Sequence, residues 1–376
     1  MGGDRAGEGV EAGAAAGAGR RDKLPAVTGG AVPVSPPALP PTFVVGYCLN
    51  EKKFERLMRD PFAALLAAHR IEAQLLHPGA PIEEQGGPFS AILHKMPRGS
   101  PFERRLQEFA TAHPEVPIID PLEKIAQIQH RDRMLSAIGQ LREWAAGPGL
   151  PSAPLRAPPQ VFLEDPVSSS EELRRNLAEN GVRPPLLVKP ADPSRHEIYA
   201  VPDLARLEAL LGGQELRRHA GGVMLQNFVD HGGTVHKIYV IGQHVVEDLR
   251  QSLPDAADWG QLETGWDEPL GRVSRYRLPS QEASTAALLG PPLGNDVCIP
   301  MARALQERLE LSLFNFDLIK DAKGHMYVID INYFPGLSKV PGYEKIFLNF
   351  LVESCADVEI RGRRRKWGEG RRPALE

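Results

Sequence analysis

Hydrophobic residues in the first third of the chain alternate between short β-branched runs and stretches with helical spacing. Three runs predict buried strands: residues 43–47, 91–95 and 116–120. Two stretches with apolar residues at helical spacing predict helices between them: residues 62–76 and 102–112. Strands that alternate with helices are typical of a parallel α/β sheet. The pattern therefore predicts an N-terminal subdomain of this class over residues 43–122.

A helix start follows at residue 120. Asp120 suits an N-cap, Pro121 suits the first helical position, and Glu123 is the acidic residue expected at N3. We expect this helix to continue to about Trp144. A stretch rich in Pro and Gly over residues 147–159 then predicts a linker and a domain boundary.

From Leu186 onward, short apolar runs are separated by tight turns. They predict strands over residues 186–189, 197–201, 223–229, 235–240, 313–320 and 326–334. Closely spaced strands of this kind indicate antiparallel α+β structure. Three further segments complete the pattern: a long surface loop over 254–295, an amphipathic helix over 297–311 and a last short helix from residue 343.

Composition narrows the class of protein. The 376 residues are 42% hydrophobic and 24% charged, which excludes a wholly disordered chain. A net charge of -4 provides no basic field, so we expect no nucleic-acid partner. No apolar stretch reaches the ~18 residues of a membrane span, so we expect no membrane partner. The three cysteines lie far apart, which favours a reducing compartment and a cytoplasmic protein.

The two ends of the chain differ from the rest. Residues 1–42 are rich in Gly, Ala and Pro and contain no aromatic residue, so they can bury too little apolar surface to offset the entropy of ordering. They predict a disordered tail. Residues 357–376 predict a basic tail, which is more typical of a solubilising end than of a nuclear address, although a nuclear pool stays open.

The most informative segment is a hairpin near the carboxyl end. Asp330 and Asn332 are two positions apart on one predicted strand and therefore share a face. If the turn is centred on Lys323 and Gly324, Asp317 lies directly opposite Asp330. Two carboxylates and an amide oxygen are ligands that Mg²⁺ prefers, and bound phosphates would complete its octahedron. The alternative is that the two aspartates lie on the solvent face of an ordinary amphipathic hairpin.

Lysines recur at the ends or in the middle of apolar runs. Lys95, Lys189 and Lys237 each stand in such a position. Taken singly, each fits an exposed edge-strand lysine better. A polyanionic ligand accounts better for the set. Residues 226–229 close a strand before Asp230, and their backbone suits a hinge that would hydrogen-bond an adenine edge.

Longer motifs resemble a known family. The residues that carry the resemblance are 225–239, Ser252-Leu253-Pro254, Phe314-Asn315-Phe316-Asp317 and the run from Val328 through Asp330, Asn332 and Tyr333 to Gly336. They resemble the inositol 1,3,4-trisphosphate 5/6-kinases, also called inositol-tetrakisphosphate 1-kinases, of the plant type. The likeness starts at Val45 and reaches about residue 354, so it covers nearly the whole predicted globular part.

The resemblance implies an ATP-grasp fold with ATP between the central and C-terminal subdomains. The implied division is a disordered tail over 1–42, an N-terminal Rossmann-like subdomain with a parallel sheet over 43–122, two antiparallel α+β subdomains over 123–225 and 226–356, and a basic tail over 357–376. The first globular part would bind the inositol phosphate, and the last would carry the magnesium site. A monomer is expected.

The resemblance also implies roles for individual residues. The ATP site would comprise Arg131, Lys189, Gln226, Asn227, Phe228, Val229, Lys237, Ser252 and Ser274. The inositol phosphate site would comprise Lys53, Lys95, His196, Lys237, Asn332 and Gly336. Asp317, Asp330 and Asn332 would hold Mg²⁺, with two ions per subunit. Lys237, His196 and Asp330 would be the catalytic residues, His196 as an acceptor of the hydroxyl proton or as a phosphate ligand.

One segment departs from the family pattern. Between Lys189 and His196 the family has a longer loop with a Gly-Thr pair, whereas this chain has a short loop with prolines at 190 and 193. A stiff loop without glycine offers fewer N–H groups to phosphates, so rate or substrate range would change. We expect an ATP- and Mg²⁺-dependent kinase acting on inositol polyphosphates. Two alternatives stay open: a carboxylate–amine ligase of the same fold, and a non-catalytic protein that binds inositol phosphates.

Overall fold

The structure, a computed structural model, describes residues 42–97, 99–129, 131–134, 138, 155–165, 169–191, 197–213, 216, 221–261, 269 and 289–369. Residues 41–376 belong to one compact unit. Its strands are β1 Phe43–Cys48, β2 Ile71–Leu75, β3 Ala91–His94, β4 Ile118–Ile119, β5 Gln160–Leu163, β6 Leu186–Pro190, β7 Tyr199–Val201, β8 Val223–Asn227, β9 Thr234–Ile241, β10 His244–Gln251, β11 Leu313–Lys320 and β12 Met326–Tyr333.

Helices separate most of these strands. They are α1 Glu51–Leu57, α2 Phe62–Ala68, α3 Pro101–Ala112, α4 Leu122–Ile125, α5 Arg131–Met134, α6 Ser170–Glu179, α7 Leu204–Gly212, α8 Asn295–Leu309 and α9 Tyr343–Glu369. Short 3-10 helices lie at Ile82–Glu84 and Ala256–Gln261. In the part of the chain that the structure describes, no helix is both long and apolar enough to cross a membrane.

The N-terminal sheet is parallel, with strand order β2-β1-β3-β4. This confirms the α/β class predicted for the first part of the fold. The helix predicted over residues 62–76 is wrong in its second half, because α2 ends at Ala68 and residues 71–75 form β2. Arg70, between them, has a left-handed φ of 56° that ends the helix and turns the chain into the sheet.

Two predicted helices differ from the structure. The one expected from Asp120 to Trp144 begins as the single turn α4, and Asp120 is not its N-cap, because Pro121 occupies that position. Asp120 instead has a left-handed φ of 61°. The helix expected to be short at the carboxyl end, α9, has 27 residues. Most of the predicted linker at 147–159 and of the loop at 254–295 lies outside the described residues.

Two antiparallel sheets form the rest of the fold, as expected from the closely spaced strands. The central sheet has the order β5-β8-β6-β7, and the C-terminal sheet has the order β10-β9-β11-β12. The observed architecture is therefore mixed α/β and α+β, with one parallel and two antiparallel sheets.

The hydrophobic core joins the first and last sheets. One cluster of buried residues includes Val45 and Leu93 of the parallel sheet together with Ile238 and Phe316 of the C-terminal sheet. The central sheet has a core of its own, which includes Val188 and Leu225. Because the parallel and C-terminal sheets share a core, the carboxyl ends of β1 and β3 lie beside the β11–β12 hairpin.

Candidate active site

The β11–β12 hairpin brings the predicted acidic residues together. Asp317 pairs with Asp330 and Asn315 pairs with Asn332. This pairing confirms the expected juxtaposition of the two aspartates. It depends on a shift in register, because the pairing beside the turn, Lys320 with Met326, would by itself place Asp317 opposite Ile329. The turn is fixed by Asp321, whose Oδ1 accepts the amide hydrogens of Lys323 and His325 at 2.9 and 2.8 Å. A β-bulge after Asp317 disturbs the ladder only on the turn side of the acidic pair.

Lys237 joins the acidic pair from the neighbouring strand. Asp317 pairs with Lys237 of β9, and the lysine ammonium donates to its Oδ1. The side chains of Lys237 and Asp317 are only 14% and 21% exposed. Burial raises the pKa of the Asp317 carboxyl, Lys237 opposes this rise, and the facing Asp330 adds to it. The row therefore holds two carboxylates and one ammonium with little water around them.

Two lysines from the parallel sheet region reach the end of the same hairpin. Lys53 Nζ donates to the carbonyl oxygen of Phe334 at 2.6 Å and lies 3.9 Å from the centroid of its ring. Lys95 Nζ donates to the carbonyl oxygens of Tyr333 and Phe334 at 2.9 and 3.3 Å. Phe334 has a φ of 36°, an uncommon backbone conformation for a bulky residue. One carbonyl oxygen thus holds two ammonium groups.

Burial and repulsion from neighbouring lysines disfavour the charged forms of these two lysines. Burial, together with the neighbouring Lys95, lowers the pKa of Lys53 well below its ordinary value. Burial lowers the pKa of Lys95 to about 8, with attraction from Asp330 opposing this and repulsion from Lys237 adding to it. Two half-buried cations side by side are stabilised by an anion placed between them. The arrangement is suited to a phosphate.

Three residues that the sequence did not single out lie on the same face of the C-terminal sheet. Asp248 pairs with Lys237, and Tyr239 pairs with Asn315. Arg250 donates to Asp248 Oδ2 at 2.7 to 2.8 Å and to the hydroxyl of Tyr239 at 2.7 Å. The sequence does contain a pattern that could have identified them. Polar residues alternate at 237 and 239 and at 248 and 250, and side chains two positions apart on a strand share a face.

The residues predicted to bind ATP divide into two groups. Lys189 Nζ donates to Gln226 Oε1 at 2.7 Å, and Gln226 Nε2 donates to Gln160 Oε1 at 2.9 Å. Lys189 and Gln226 are both buried in the central sheet. Ser252 is buried at the end of β10, where its amide donates to the carbonyl of Gly233 at 2.7 Å. The structure therefore brings Lys189 and Gln226 into direct contact and leaves Ser252 apart from them, just after β10 of the C-terminal sheet.

The hinge differs from the expectation in one respect. The amide hydrogens of Asn227 and Phe228 are donated to the carbonyl oxygens of Pro159 and Pro185, both at 2.9 Å. These two N–H groups are therefore not available to an adenine. The Phe228 ring packs on Trp259 with centroids 4.6 Å apart and belongs to a small apolar cluster. The carbonyl of Val229 accepts from His231 Nδ1 at 2.7 Å.

Four predicted site residues have no described side-chain contacts. His196 and Ser274 lie outside the described residues, and Arg131 is described only as the first residue of the backbone of α5. Gly336 is exposed, and a Cβ atom built on it would meet nothing within 4 Å. The space beside the hairpin end is therefore open at Gly336.

The residues present fit Mg²⁺. Asp317, Asp330 and Asn332 supply hard oxygen atoms from adjacent strand positions, and Asn332 Nδ2 donates to Asp330 Oδ2 at 2.5 Å. Within the described ranges, no three His, Cys, Asp or Glu side chains form a metal cluster of their own. The protein thus offers two carboxylates and an amide, which suits an ion that shares its remaining positions with phosphate and water.

Comparison with known proteins decides the family. Residues 153–353 match the inositol 1,3,4-trisphosphate 5/6-kinase ATP-grasp domain, and residues 44–125 match the pre-ATP-grasp domain of the same family. The chain belongs to the inositol 1,3,4-trisphosphate 5/6-kinase family. The resemblance drawn from the hairpin and hinge motifs is thereby confirmed.

Relatives within this kinase family align with most of the chain. Inositol-tetrakisphosphate 1-kinase 2 from Glycine max is 35% identical and aligns with 82% of this chain and 94% of its own. Inositol-tetrakisphosphate 1-kinase 1 from Zea mays is 32% identical and aligns with 84% of this chain and 89% of its own. Both alignments therefore cover more than four-fifths of this chain and of the relative.

Solved structures confirm the fold. D-alanine–D-alanine ligase from Bacillus anthracis superposes with a TM-score of 0.54 at 12% identity, over 85% of this chain and 99% of that one. The ATP-grasp ligase PsnB superposes with a TM-score of 0.51 at 14% identity, over 83% and 98%. At such low identity the likeness concerns the fold alone, which is ATP-grasp.

Proposed function

We propose that this protein is an ATP- and Mg²⁺-dependent kinase that phosphorylates a hydroxyl group of an inositol polyphosphate. The observation that carries the proposal is the convergence of Lys53 and Lys95 on the hairpin that holds Asp317 and Asp330. A site for ATP alone needs no such pair of cations from the N-terminal sheet. An acceptor that carries several phosphates does.

The acceptor side is built from residues of two subdomains. Lys53 and Lys95 would exchange the carbonyl oxygens of residues 333 and 334 for phosphate oxygens, which bind ammonium groups more strongly because they carry negative charge. Asn332 and the open backbone at Gly336 would border the inositol ring. His196 would contact the same phosphates or accept the hydroxyl proton.

The nucleotide side is built from the central and C-terminal sheets. Lys189, held by Gln226, would neutralise phosphate charge from the central sheet. Ser252 and the segment 226–229 would line the nucleotide, with Phe228 as its apolar part, and Arg131 and Ser274 would complete the site. Because Asn227 and Phe228 donate their amides inside the protein, we assign adenine recognition to other backbone groups of this segment.

Phosphoryl transfer depends mainly on in-line positioning and charge neutralisation. Mg²⁺ held by Asp317, Asp330 and Asn332 would neutralise charge on the transferred phosphate. Lys237 is bound to Asp317, so its ammonium is already beside the metal ligands and would meet the same phosphate. Asp330 attracts Lys95 electrostatically and thus links the metal ligands with the acceptor site.

The decisive experiment is incubation of the purified chain with ATP, Mg²⁺ and a panel of inositol phosphates, without any amine, with the products resolved by isomer. We expect ATP-dependent formation of a more highly phosphorylated inositol. Phosphate release only when an amine and a carboxylate are supplied would instead support a ligase. Tight binding of inositol phosphates with no ATP consumption would support a binding protein in which the short loop after Lys189 prevents turnover.

Finer properties belong to the same proposal. We infer two Mg²⁺ ions per subunit, since a single ion on the hairpin ligands leaves part of the triphosphate charge uncompensated. We also infer a monomer located in the cytoplasm, with the basic carboxyl end as the feature that would direct a nuclear pool. The boundaries at residues 42, 122, 225 and 356 stay predictions.

A further inference from the structure

Asp120 has a role that its sequence context does not predict. It follows β4 and is only 5% exposed. Its carboxylate does not cap α4. Instead, Oδ1 accepts from the amide and the hydroxyl of Ser312 at 2.6 and 2.8 Å, and Oδ2 accepts from the amide of Leu313 at 3.0 Å. These three bonds join residues about 190 positions apart in the chain.

The backbone of Asp120 makes a second connection. His94 Nε2 lies 2.9 Å from the carbonyl oxygen of Asp120, and His94 is only 3% exposed. Burial lowers the pKa of His94 to about 4, so the ring is neutral at physiological pH and donates from Nε2. The same ring lies 6.1 Å from the ring of Tyr333, centroid to centroid. His94 immediately precedes Lys95.

The two ends of this connection lie at the two halves of the site. On one side, His94 continues into Lys95, whose ammonium contacts the carbonyl of Tyr333. On the other side, Leu313 is the first residue of β11, two positions before Asn315 and four before Asp317. Asp120 therefore connects the strand that carries an acceptor lysine with the strand that carries a metal ligand.

We propose that Asp120 is a positioning residue that sets the distance between the acceptor lysines and the acidic hairpin. The inference rests on the proposed kinase function and identifies a residue that acts on its acceptor side. Asp120 is buried and its carboxylate is bound by Ser312 and Leu313, so we assign it an indirect role that acts through Lys95 and β11.

The hydrogen bonds of Asp120 are not needed merely to hold the parallel and C-terminal sheets together. The hydrophobic cluster around Val45, Ile238 and Phe316 already joins the two sheets. A buried carboxylate costs desolvation free energy that apolar contacts avoid, and three donors are needed to offset it. What directed hydrogen bonds add is a fixed geometry, because apolar contacts allow small sliding movements. Phosphoryl transfer is sensitive to displacements of about 1 Å.

The test is the Asp120→Asn variant in the full chain. An amide of the same shape replaces one acceptor oxygen by a donor, so at least one bond to Ser312 or Leu313 is lost. We expect the apparent KM for inositol 1,3,4-trisphosphate to rise roughly 10-fold, because a displaced Lys95 ammonium would lose a charge-assisted hydrogen bond to an acceptor phosphate. The KM for ATP should change less than about 2-fold.

A matched control is available in the same region. Lys124 and Glu310 form an exposed ion pair between the same two parts of the chain. Lys124→Met removes this contact without touching Asp120, and we expect neither KM to change. Ser312→Ala removes only the hydroxyl bond and should give an intermediate effect. It also provides a second variant if Asp120→Asn does not fold.

A readout independent of catalysis separates this proposal from the kinase assignment. Acetylation of lysines, followed by mass spectrometry, should modify Lys95 faster in Asp120→Asn than in the wild type, while Lys189 reacts at an unchanged rate. If the wild type phosphorylates no inositol phosphate, this comparison still decides whether Asp120 positions Lys95. Equal rises in both KM values, an equal effect of Lys124→Met, or unchanged Lys95 reactivity would overturn the proposal.

Discussion

Asp317 and Asp330 face each other across the hairpin but have different partners. Asp317 is bound by Lys237 and also accepts from Asn315 Nδ2 at 3.1 Å, whereas Asp330 accepts from Asn332. Asp330 thus has no direct ammonium bond among those recorded for the described chain, and its charge is the one best placed to take up a divalent cation. The negative charge of Asp317 is thus balanced by Lys237, while the charge of Asp330 is left for a metal ion.

Asp330→Asn should lower the rate of phosphoryl transfer by about 100-fold. A carboxylate ligand supplies several kcal/mol of charge stabilisation to a bound metal, and about 3 kcal/mol corresponds to a loss of about 100-fold in rate. The measurement is the steady-state rate with saturating ATP and acceptor, together with Mn²⁺ binding followed by electron paramagnetic resonance. Asp321→Asn, in the turn of the same hairpin, is the control and should keep metal binding. A variant at Asp330 with wild-type rate and metal affinity would refute the metal assignment.

The acceptor reaction should lose efficiency as the pH rises through about 8. Burial lowers the pKa of Lys95 to about 8 in the free protein. Only the protonated ammonium binds phosphate well, so kcat/KM for the inositol phosphate should fall above this pH. Lys95→Arg should move the fall to higher pH, because a guanidinium stays protonated.

The comparison for this pH effect is kcat/KM for ATP, measured with saturating acceptor. A bound phosphate keeps Lys95 protonated, so this parameter should not fall in the same window. If both profiles fall together, Lys95 does not belong to the acceptor site.

At the scale of elements, β10 supports both faces of the C-terminal sheet. Asp248 and Arg250 face the site, while Glu247 faces α8. The Glu247 carboxylate accepts the amides of Leu293 and Gly294, at 2.9 and 3.2 Å, at the start of α8 and is bonded to His236 Nδ1 at 2.7 Å. A strand residue thus holds the backbone amides of the N-cap residue Gly294 and of the residue before it, and thereby fixes where α8 begins.

Glu247→Gln should lower the free energy of unfolding by about 1 to 2 kcal/mol at neutral pH, because the amide cannot accept from both backbone groups and His236. The hydrogen bonds from the backbone and from His236 lower the pKa of Glu247 despite its burial. Its contribution is therefore present above the ordinary carboxyl pKa and is lost as the pH falls through the lowered value. Urea unfolding at pH 7 and at acidic pH measures the difference.

A control for this effect is Asp296→Asn, in the first turn of the same helix. It removes only a favourable interaction with the helix dipole, so its effect should stay below about 1 kcal/mol. If both variants lose the same stability at every pH, the hydrogen bonds of Glu247 do not stabilise the start of α8.

At the scale of the whole molecule, the described site belongs to the part of the chain after residue 41. The N-terminal part supplies Lys53 from α1 and Lys95 from the residue after β3. The central sheet supplies Lys189 and Gln226, and the C-terminal sheet supplies the acidic hairpin. The first and last sheets share one core, and the central sheet has its own. The acceptor and metal residues therefore belong to elements that share one hydrophobic core, whereas Lys189 and Gln226 belong to a sheet with a separate core.

Deletion of residues 1–40 should leave both the melting temperature and kcat unchanged within error. The site and the buried cores lie within residues 41–376, which form a compact unit. Thermal unfolding and the kinase assay of the shortened chain measure this. A clear loss of kcat at unchanged stability would show that the first segment takes part in the reaction.

The sequence alone determined the elements whose signals are local. Alternating runs identified the parallel sheet, and the turn around Gly324 located the hairpin that carries Asp317 and Asp330. Their direct pairing also depends on the β-bulge after Asp317, which the position of the turn does not give. The long-range partner of a residue has no such local signal. The helix predicted from Asp120 is the clearest case, because its cap-like context is local whereas its actual partners, Ser312 and Leu313, are distant in the chain.

Tertiary structure also decided the assembly of the site. That Lys53 and Lys95 meet at one carbonyl oxygen depends on the packing of two sheets and on the left-handed backbone of Phe334. The grouping of Arg250, Tyr239 and Asp248 depends on the pairing of β9 with β10. The physical reason is that hydrogen bonds and charges act over a few ångströms in space, while periodicity in the sequence reports only neighbours along the chain.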